Sequence, residues 1–193
     1  MKRKGNLSGP NVRRLILRRI ENGRFRSGDR LIPAVIAREL GGSTIPVREA
    51  LCQLVGRDIL TERRNRGFIV TPITSGMLRS FYIAHGELMD RVFREWPYGA
   101  VLSGRIRNRW SLFAASTDRT GDEATRGMAH YLNGRLALVR RFEDDCIDGN
   151  EDTADLAMAL HTGDVDEARK SSARFHESCI LSCTRIWQMM SDR

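Results

Sequence analysis

The feature that most constrains the fold is the stretch from Gly41 to Leu60, where turn residues precede a short amphipathic helix. Ser43 stands where a side-chain oxygen can accept hydrogen bonds from the first N–H groups of a helix. Pro46 falls in the first turn, where its missing N–H costs no helical bond. Between residues 44 and 56 one apolar stripe recurs at helical spacing: Val47, Ala50, Leu51 and Leu54. The polar face near the N-terminus of this helix is typical of helices that enter the major groove of DNA.

The flanking segments complete a small domain. Helices are predicted over 10–21 and 33–40, and the second is joined to the amphipathic helix by a Gly-bearing turn. Strand-like runs follow at 59–62 and 67–71. The tip between them carries Arg63, Arg64, Asn65 and Arg66. The order helix, helix, helix, hairpin predicts a winged helix-turn-helix whose wing can reach phosphates or a narrow minor groove.

Charge separates this domain from the rest of the chain. Residues 1–73 have a balance of +10, whereas residues 74–193 have a balance of −2. A basic first part favours a partner rich in phosphate, although a charged surface that only keeps the protein in solution gives the same composition. We expect a flexible basic arm over 1–9, a DNA-binding domain over 10–73 and a helical domain over 74–193.

Other features bear on the compartment. No uninterrupted apolar run approaches the length of a membrane span, and the basic N-terminus lacks the apolar core of a secretory signal. The four cysteines show no CxxC pair. We expect reduced thiols in a cytoplasmic protein.

Four segments together resemble the winged-helix domain of the GntR family of bacterial transcription regulators. They are Gly28-Asp29-Arg30-Leu31, the run IARELG at 36–41, the run PVREAL at 46–51, and Arg66-Gly67-Phe68-Ile69-Val70. The PVREAL run further resembles the FadR-like, or FCD, group, whose C-terminal domain is all-helical. The resemblance implies a regulator that binds a palindromic operator as a homodimer, in many cases as a repressor.

The resemblance also implies which residues contact DNA: Ser43, Thr44, Ile45, Pro46 and Arg48 on the recognition helix, with Arg64, Asn65, Arg66 and Gly67 on the wing. Arg48 has the chemistry for this role, because a guanidinium can bridge O6 and N7 of guanine or hold a phosphate. A solvated ion pair with Glu49 is the alternative for Arg48. Arg38, on the outer face of the preceding helix, is a further candidate.

The chain departs from the family pattern at three positions: Pro33, Thr44 and Ile45. Many family members carry Glu, Arg and Thr there, respectively. The loss of a charged group predicts weaker non-specific binding and a different operator, with the fold unchanged.

The C-terminal part is predicted to be an α-helical bundle, with helices near 75–96, 99–116, 122–146, 151–162 and 164–190. The run LAMALHTGDVDEA at 156–168 resembles the start of the last FCD helix. The segment after His130 is shorter than is usual in that group, so the domain is divergent.

The FCD resemblance implies a metal held by one Asp and three His beside a small organic acid. Here His130 matches the first His, but Arg126 stands at the Asp, Thr153 at the next His, and Phe175 at the last, with His176 adjacent. A divalent metal at His130 and His176 is therefore possible but disfavoured.

Without a metal, the candidate effector-binding residues are His85, Arg126, His130 and His176. Arg126 and His130 lie one helical turn apart, so together they can bind a carboxylate directly. The alternative is an exposed Arg126 and a His130 with only a structural role.

Two functions remain open. One is a ligand-responsive regulator. The other is a DNA-binding protein whose helical domain only dimerises or recruits a partner. An enzyme is not expected, because no catalytic motif is present and the acidic run Glu143-Asp144-Asp145 is interpreted as a solvated face.

Overall fold

The computed structural model describes residues 8–64, 67–97, 102, 106–147 and 152–192. The chain forms two compact units. The first comprises residues 1–73 together with 137–141, and the second comprises 74–136 and 142–193. The first unit therefore includes a segment that is distant from it in sequence.

Three helices form most of the first unit: α1 (Gly9–Glu21), α2 (Pro33–Leu40) and α3 (Thr44–Val55). All three were predicted, and the predicted bounds differ from the observed ones by at most one residue. The apolar stripe of α3 is fully buried. Helix α1 packs against α3, and its own apolar residues Val12, Ile16 and Ile20 are also buried. The phase of the apolar residues therefore fixes which face of α3 is left for solvent.

Ser43 occupies the N-cap position of α3 with an extended backbone, but its side chain makes no capping hydrogen bond. The prediction of a side-chain cap was therefore wrong. The Ser43 side chain is exposed.

The wing is a three-stranded antiparallel sheet in the order β1 (Arg30–Leu31), β3 (Gly67–Val70), β2 (Leu60–Arg63). Strands β2 and β3 were predicted, but β1 was not. The φ angle of Gly67 is +75°, and a Cβ there would lie 3.3 Å from the carbonyl oxygen of Leu31. Gly67 is thus required by the pairing of β3 with β1, in addition to any role at DNA.

The added segment of the first unit, residues 137–141, has a buried centre, with Val139 fully buried. Arg140 Nη1 lies 3.4 Å from Glu21 Oε1 at the end of α1. The segment runs into a short helix, α7 (Arg140–Glu143).

All the regular secondary structure among the described residues of the second unit is helical. Its longer helices are α4 (Ser75–Arg94), α5 (Arg109–Thr117), α6 (Glu123–Leu136), α8 (Asp152–Thr162) and α9 (Val165–Ser191). The predicted helix over 122–146 is therefore broken between α6 and α7. The mostly helical fold with an N-terminal winged helix was correctly predicted.

Helices α4 and α9 pack along each other over much of their length. Gly86 of α4 faces α9 so closely that a Cβ there would lie 3.1 Å from Cγ of His176. The small residue thus lets an aromatic side chain approach the backbone of the neighbouring helix.

Glu143 corrects the interpretation of the acidic run. Its side chain is 4% exposed, and its two carboxylate oxygens accept 2.6 Å hydrogen bonds from Tyr82 Oη and Trp110 Nε1. Asp144 and Asp145 are exposed, as expected for a solvated face. Glu143 is instead a buried acceptor that ties α4 and α5 together.

Among the described residues, no helix is both long enough and apolar enough to cross a bilayer.

Candidate nucleic-acid interface and effector cavity

A groove of about 590 Å³ lies between the recognition helix α3 and the wing. We call it the interface groove. It is lined by Pro33, Arg48, Glu62, Arg63, Arg64, Gly67 and Phe68. It brings together three of the residues proposed to contact DNA from separate elements: Arg48, Arg64 and Gly67.

The charged side chains at this groove are open to solvent. Arg48 is 65% exposed, and Arg64 is also exposed. On the start of α3, Ser43 and Thr44 are exposed and Ile45 is 68% exposed. An isoleucine that exposed has no packing role in this unit, so its apolar surface is available to a thymine methyl group.

The remaining candidates are less central. Pro46 is half-buried, and Arg38 is exposed on α2 but does not line the interface groove. Asn65 and Arg66, the other predicted wing contacts, lie outside the described residues, as does most of the predicted basic arm.

Arg48 has an ionic partner that the sequence did not indicate. Its Nη2 lies 3.3 Å from Oε1 of Glu62 on β2, and the Glu62 side chain is 45% exposed. The expected alternative partner, Glu49, is on the same helix. Glu62 lies on the wing, so this contact joins the recognition helix to the hairpin. An ion pair this exposed contributes little to stability, but it orients the guanidinium.

In the second unit, two of the candidate effector residues contact each other. Nδ1 of His85 and Nε2 of His176 are 2.8 Å apart, and both side chains are buried. Nδ1 of His176 lies 2.7 Å from the carbonyl oxygen of Ser172, so it must carry the proton. Nε2 of His176 then accepts a hydrogen bond from Nδ1–H of His85.

Aromatic side chains enclose this pair. The ring centroids of Trp110, Phe113 and Phe175 lie within 6 Å of one or both histidine rings. We call His85, Trp110, Phe113, Phe175 and His176 the ring cluster. Burial in it lowers the pKa of His176 to about 4, against the raising effect of the bond to Ser172. His176 is therefore neutral at pH 7.

The other two candidates lie elsewhere in the unit. Arg126 and His130 are on α6, where Arg126 is half-buried and His130 is exposed, with Nε2 3.8 Å from Oδ1 of Asp118. Neither residue lines the cavity beside His176. No group of three His, Cys, Asp or Glu side chains able to hold a metal occurs among the described residues.

A cavity of about 390 Å³ lies between α4 and α9, and we call it the helix groove. Its residues include Tyr82, Ile83, Glu87, Asp90, Arg169, His176, Glu177 and Ile180. His176 thus belongs both to the ring cluster and to the wall of this groove. The size lies within the range of small-molecule sites.

Comparison with known proteins identifies the family that residues 10–70 match. Residues 10–70 match the family described as "Bacterial regulatory proteins, gntR family". This part of the chain is therefore a winged-helix domain of the GntR type, and the match supports a DNA-binding transcription regulator. No curated protein is significantly similar to the chain in sequence.

Solved structures extend the likeness to most of the chain at the level of fold. A putative GntR transcriptional regulator from Rhodococcus sp. RHA1 has a TM-score of 0.70 at 18% identity, covering 92% of this chain and 97% of that chain. McbR/YncC of E. coli has a TM-score of 0.68 at 18% identity, with the same coverage. At these identities the likeness concerns the fold alone.

Proposed function

We propose that the protein is a sequence-specific DNA-binding transcription regulator that binds a palindromic operator as a homodimer. The observation that carries the proposal is the interface groove, where Arg48 of α3 and Arg64 of the wing are exposed in a domain that matches the GntR family. Arg48 can contact base edges from the major groove, while Arg64 holds phosphate. Two copies of one such domain match the symmetry of a palindrome.

We further propose that the second unit responds to a small molecule. A helical unit with a groove beside a buried polar residue can hold one. A small organic acid bound by Arg126 and His130, and membership of the FCD group, stay predictions. For a carboxylate to bridge these two residues, it would have to bind on the solvent side of α6, because His130 is exposed.

The effector-free alternative is favoured by one observation. His85 and His176, which the sequence nominated for an effector, are hydrogen-bonded to each other within the ring cluster. Residues that are hydrogen-bonded to each other in a packed core can have a structural role without any ligand. In that case the second unit would only dimerise or recruit a partner.

Fluorescence anisotropy tests the proposal. The full chain is titrated at fixed salt against labelled DNA from its own upstream region and against scrambled DNA of the same composition. We expect tighter binding to the upstream DNA, with a stoichiometry of two chains per duplex. Equal affinity for both DNAs would contradict sequence-specific recognition.

The effector is tested in the same titrations with a panel of small organic acids. A fall in affinity that Arg126→Ala abolishes would support the acid and its predicted contact. Selective binding that none of these acids alters would favour the effector-free alternative over an acid effector.

A further inference from the structure

The charges of the helix groove identify the class of ligand that fits it. Glu87 lies on α4 and Glu177 on α9, both are exposed, and both line the groove. Neither carboxylate has an ion-pair partner among the residues that the structure describes. The two helices therefore each contribute to the same cavity a negative charge that no ion pair among the described residues neutralises.

The other charged groups of the groove compensate each other. Asp90 Oδ1 accepts a 2.6 Å hydrogen bond from Nε of Arg169, and Arg94 also pairs with Asp90. The bond from Arg169 is the main cause of the lowered pKa of Asp90, so this carboxylate is ionised and neutralised in place. Arg169 is thereby paired with Asp90, and its Nη1 also lies 3.6 Å from Oδ1 of Asp166.

His176 offers no positive charge either. Its Nδ1–H donates to the carbonyl oxygen of Ser172, and its Nε2 accepts from His85. A second proton would break the bond from His85, and burial lowers the pKa of His176, so the charged form is disfavoured. The buried wall of the groove is thus neutral, and its rim carries the excess negative charge.

The groove also has an apolar part. Ile83 of α4 and Ile180 of α9 line it and are half-buried, and no side chain projects from Gly86 between the helices. An apolar body of a few methylene groups can lie along these side chains and bury surface that is now in contact with water.

We propose that the helix groove binds a small organic cation: an amine whose ammonium group lies between Glu87 and Glu177 and whose apolar body contacts Ile83 and Ile180. Charge complementarity and the apolar wall together select this class over a carboxylate. Binding itself is independent of the proposed function. An effect of the bound amine on DNA affinity, in contrast, rests on the proposed function. Only a short link joins the wing to the first helix of the groove, because β3 ends at Val70 and α4 begins at Ser75.

Hexylamine is the probe, and hexanoate is its control because it has a similar apolar body, one methylene group shorter, with the opposite charge. Binding of each to the full chain is followed by ligand-observed NMR at pH 7 and constant ionic strength. We expect hexylamine to bind at least tenfold more tightly than hexanoate. Equal binding, or tighter binding of hexanoate, would overturn the proposal.

Variants locate the site. In the double variant Glu87→Gln, Glu177→Gln, hexylamine affinity should fall at least tenfold, whereas Asp155→Asn, which removes an exposed carboxylate from α8, should leave it unchanged. Ala173→Phe keeps every charge and fills the groove, so it should also abolish binding. Unaltered hexylamine binding in either groove variant, with native circular dichroism, would contradict the assignment.

A separate titration tests whether hexylamine alters DNA binding. Hexylamine should change the affinity for upstream DNA in the wild type and not in the double variant. If hexylamine binds but leaves DNA affinity unchanged, the regulatory consequence is wrong and the site stands. If upstream and scrambled DNA are bound equally without hexylamine, the proposed function fails, while the NMR result is unaffected.

Discussion

The two units differ in what surrounds the residues that the sequence singles out. In the first unit, Arg48 and Arg64 are exposed at a groove open to solvent. In the second, His85 is fully buried and His176 is 3% exposed, and the two rings are hydrogen-bonded to each other. The difference teaches that the candidates of the first unit depend on which faces of one helix and one hairpin are exposed, whereas those of the second depend on how several helices pack.

The largest effect is expected inside the second unit. Glu143→Ala leaves the Tyr82 hydroxyl and the Trp110 N–H buried without this acceptor, and should cost about 4 kcal/mol of unfolding free energy. Urea unfolding followed by tryptophan fluorescence measures it, because all three tryptophans lie in this unit. Asp144→Ala, at the exposed neighbour, should change the same free energy by less than about 0.5 kcal/mol. A similar small loss in both variants would show that Glu143 is not a structural acceptor.

The second largest effect is expected in acid, where protonation of the buried His176 should destabilise the second unit. The pKa of His176 is about 4 in the folded protein, against 6.5 for a histidine free in water, so the unfolded chain binds the proton more tightly. The stability that neutral His176 contributes is fully present above pH 6.5. It is lost as the pH falls toward 4, where the free energy of unfolding is lower by about 3 kcal/mol. Unfolding free energies at pH 7 and pH 4.5 check this: His176→Gln should lose less than the wild type. His161→Gln, at an exposed histidine of α8, should behave like the wild type.

The first unit should respond in DNA binding instead of stability. Arg48→Ala should cost about 1–3 kcal/mol of binding free energy on upstream DNA and reduce the selectivity for it over scrambled DNA. Arg64→Ala should weaken binding to both DNAs alike and reduce by about 1 the slope of log affinity against log salt concentration. Anisotropy titrations at several salt concentrations measure both effects. Arg119→Ala makes the same charge change in the second unit and serves as the control. Equal losses on upstream and scrambled DNA for Arg48→Ala would rule out a base-contacting role.

The smallest effect tests the contact between helix and wing. Glu62→Gln removes the negative charge beside Arg48 and should strengthen binding to scrambled DNA by about 0.5 kcal/mol, with almost no change in stability. The selectivity for upstream over scrambled DNA should fall, because the Arg48 guanidinium is less firmly oriented. Glu123→Gln, at an exposed site on α6, should have neither effect. An increase in selectivity would mean that Glu62 holds Arg48 away from the bases.

Most of the fold could be predicted because its determinants are local. The spacing of Val47, Ala50, Leu51 and Leu54 fixes both the helix and its buried face, and no distant residue is needed. Strand β1 was missed because two residues carry no alternation, and its pairing with β3 is decided only in the folded chain. Glu143 was misassigned because a run of three acids gives no sign that the first of them faces two buried donors.

The candidate site residues likewise divide into those that a local motif predicted and those whose contacts depend on distant parts of the chain. Arg48 was found from a contiguous motif, but its partner Glu62 is 14 residues away on another element. The pair His85 and His176 is separated by 91 residues, and no sequence spacing predicts their hydrogen bond. The helix groove likewise depends on the relative phase of α4 and α9, which follows from Gly86 and His176 only once the two helices are packed.

The discontinuous first unit has a consequence for synthesis of the protein. A ribosome releases the chain from its N-terminus, and domains generally fold in that order. Residues 137–141, however, belong to the first unit, with Arg140 beside Glu21. The winged-helix unit therefore stays incomplete until residue 141 has left the ribosome, by which time α4, α5 and α6 are already made. The part of the molecule proposed to bind DNA would thus be finished only after much of the second unit exists as nascent chain.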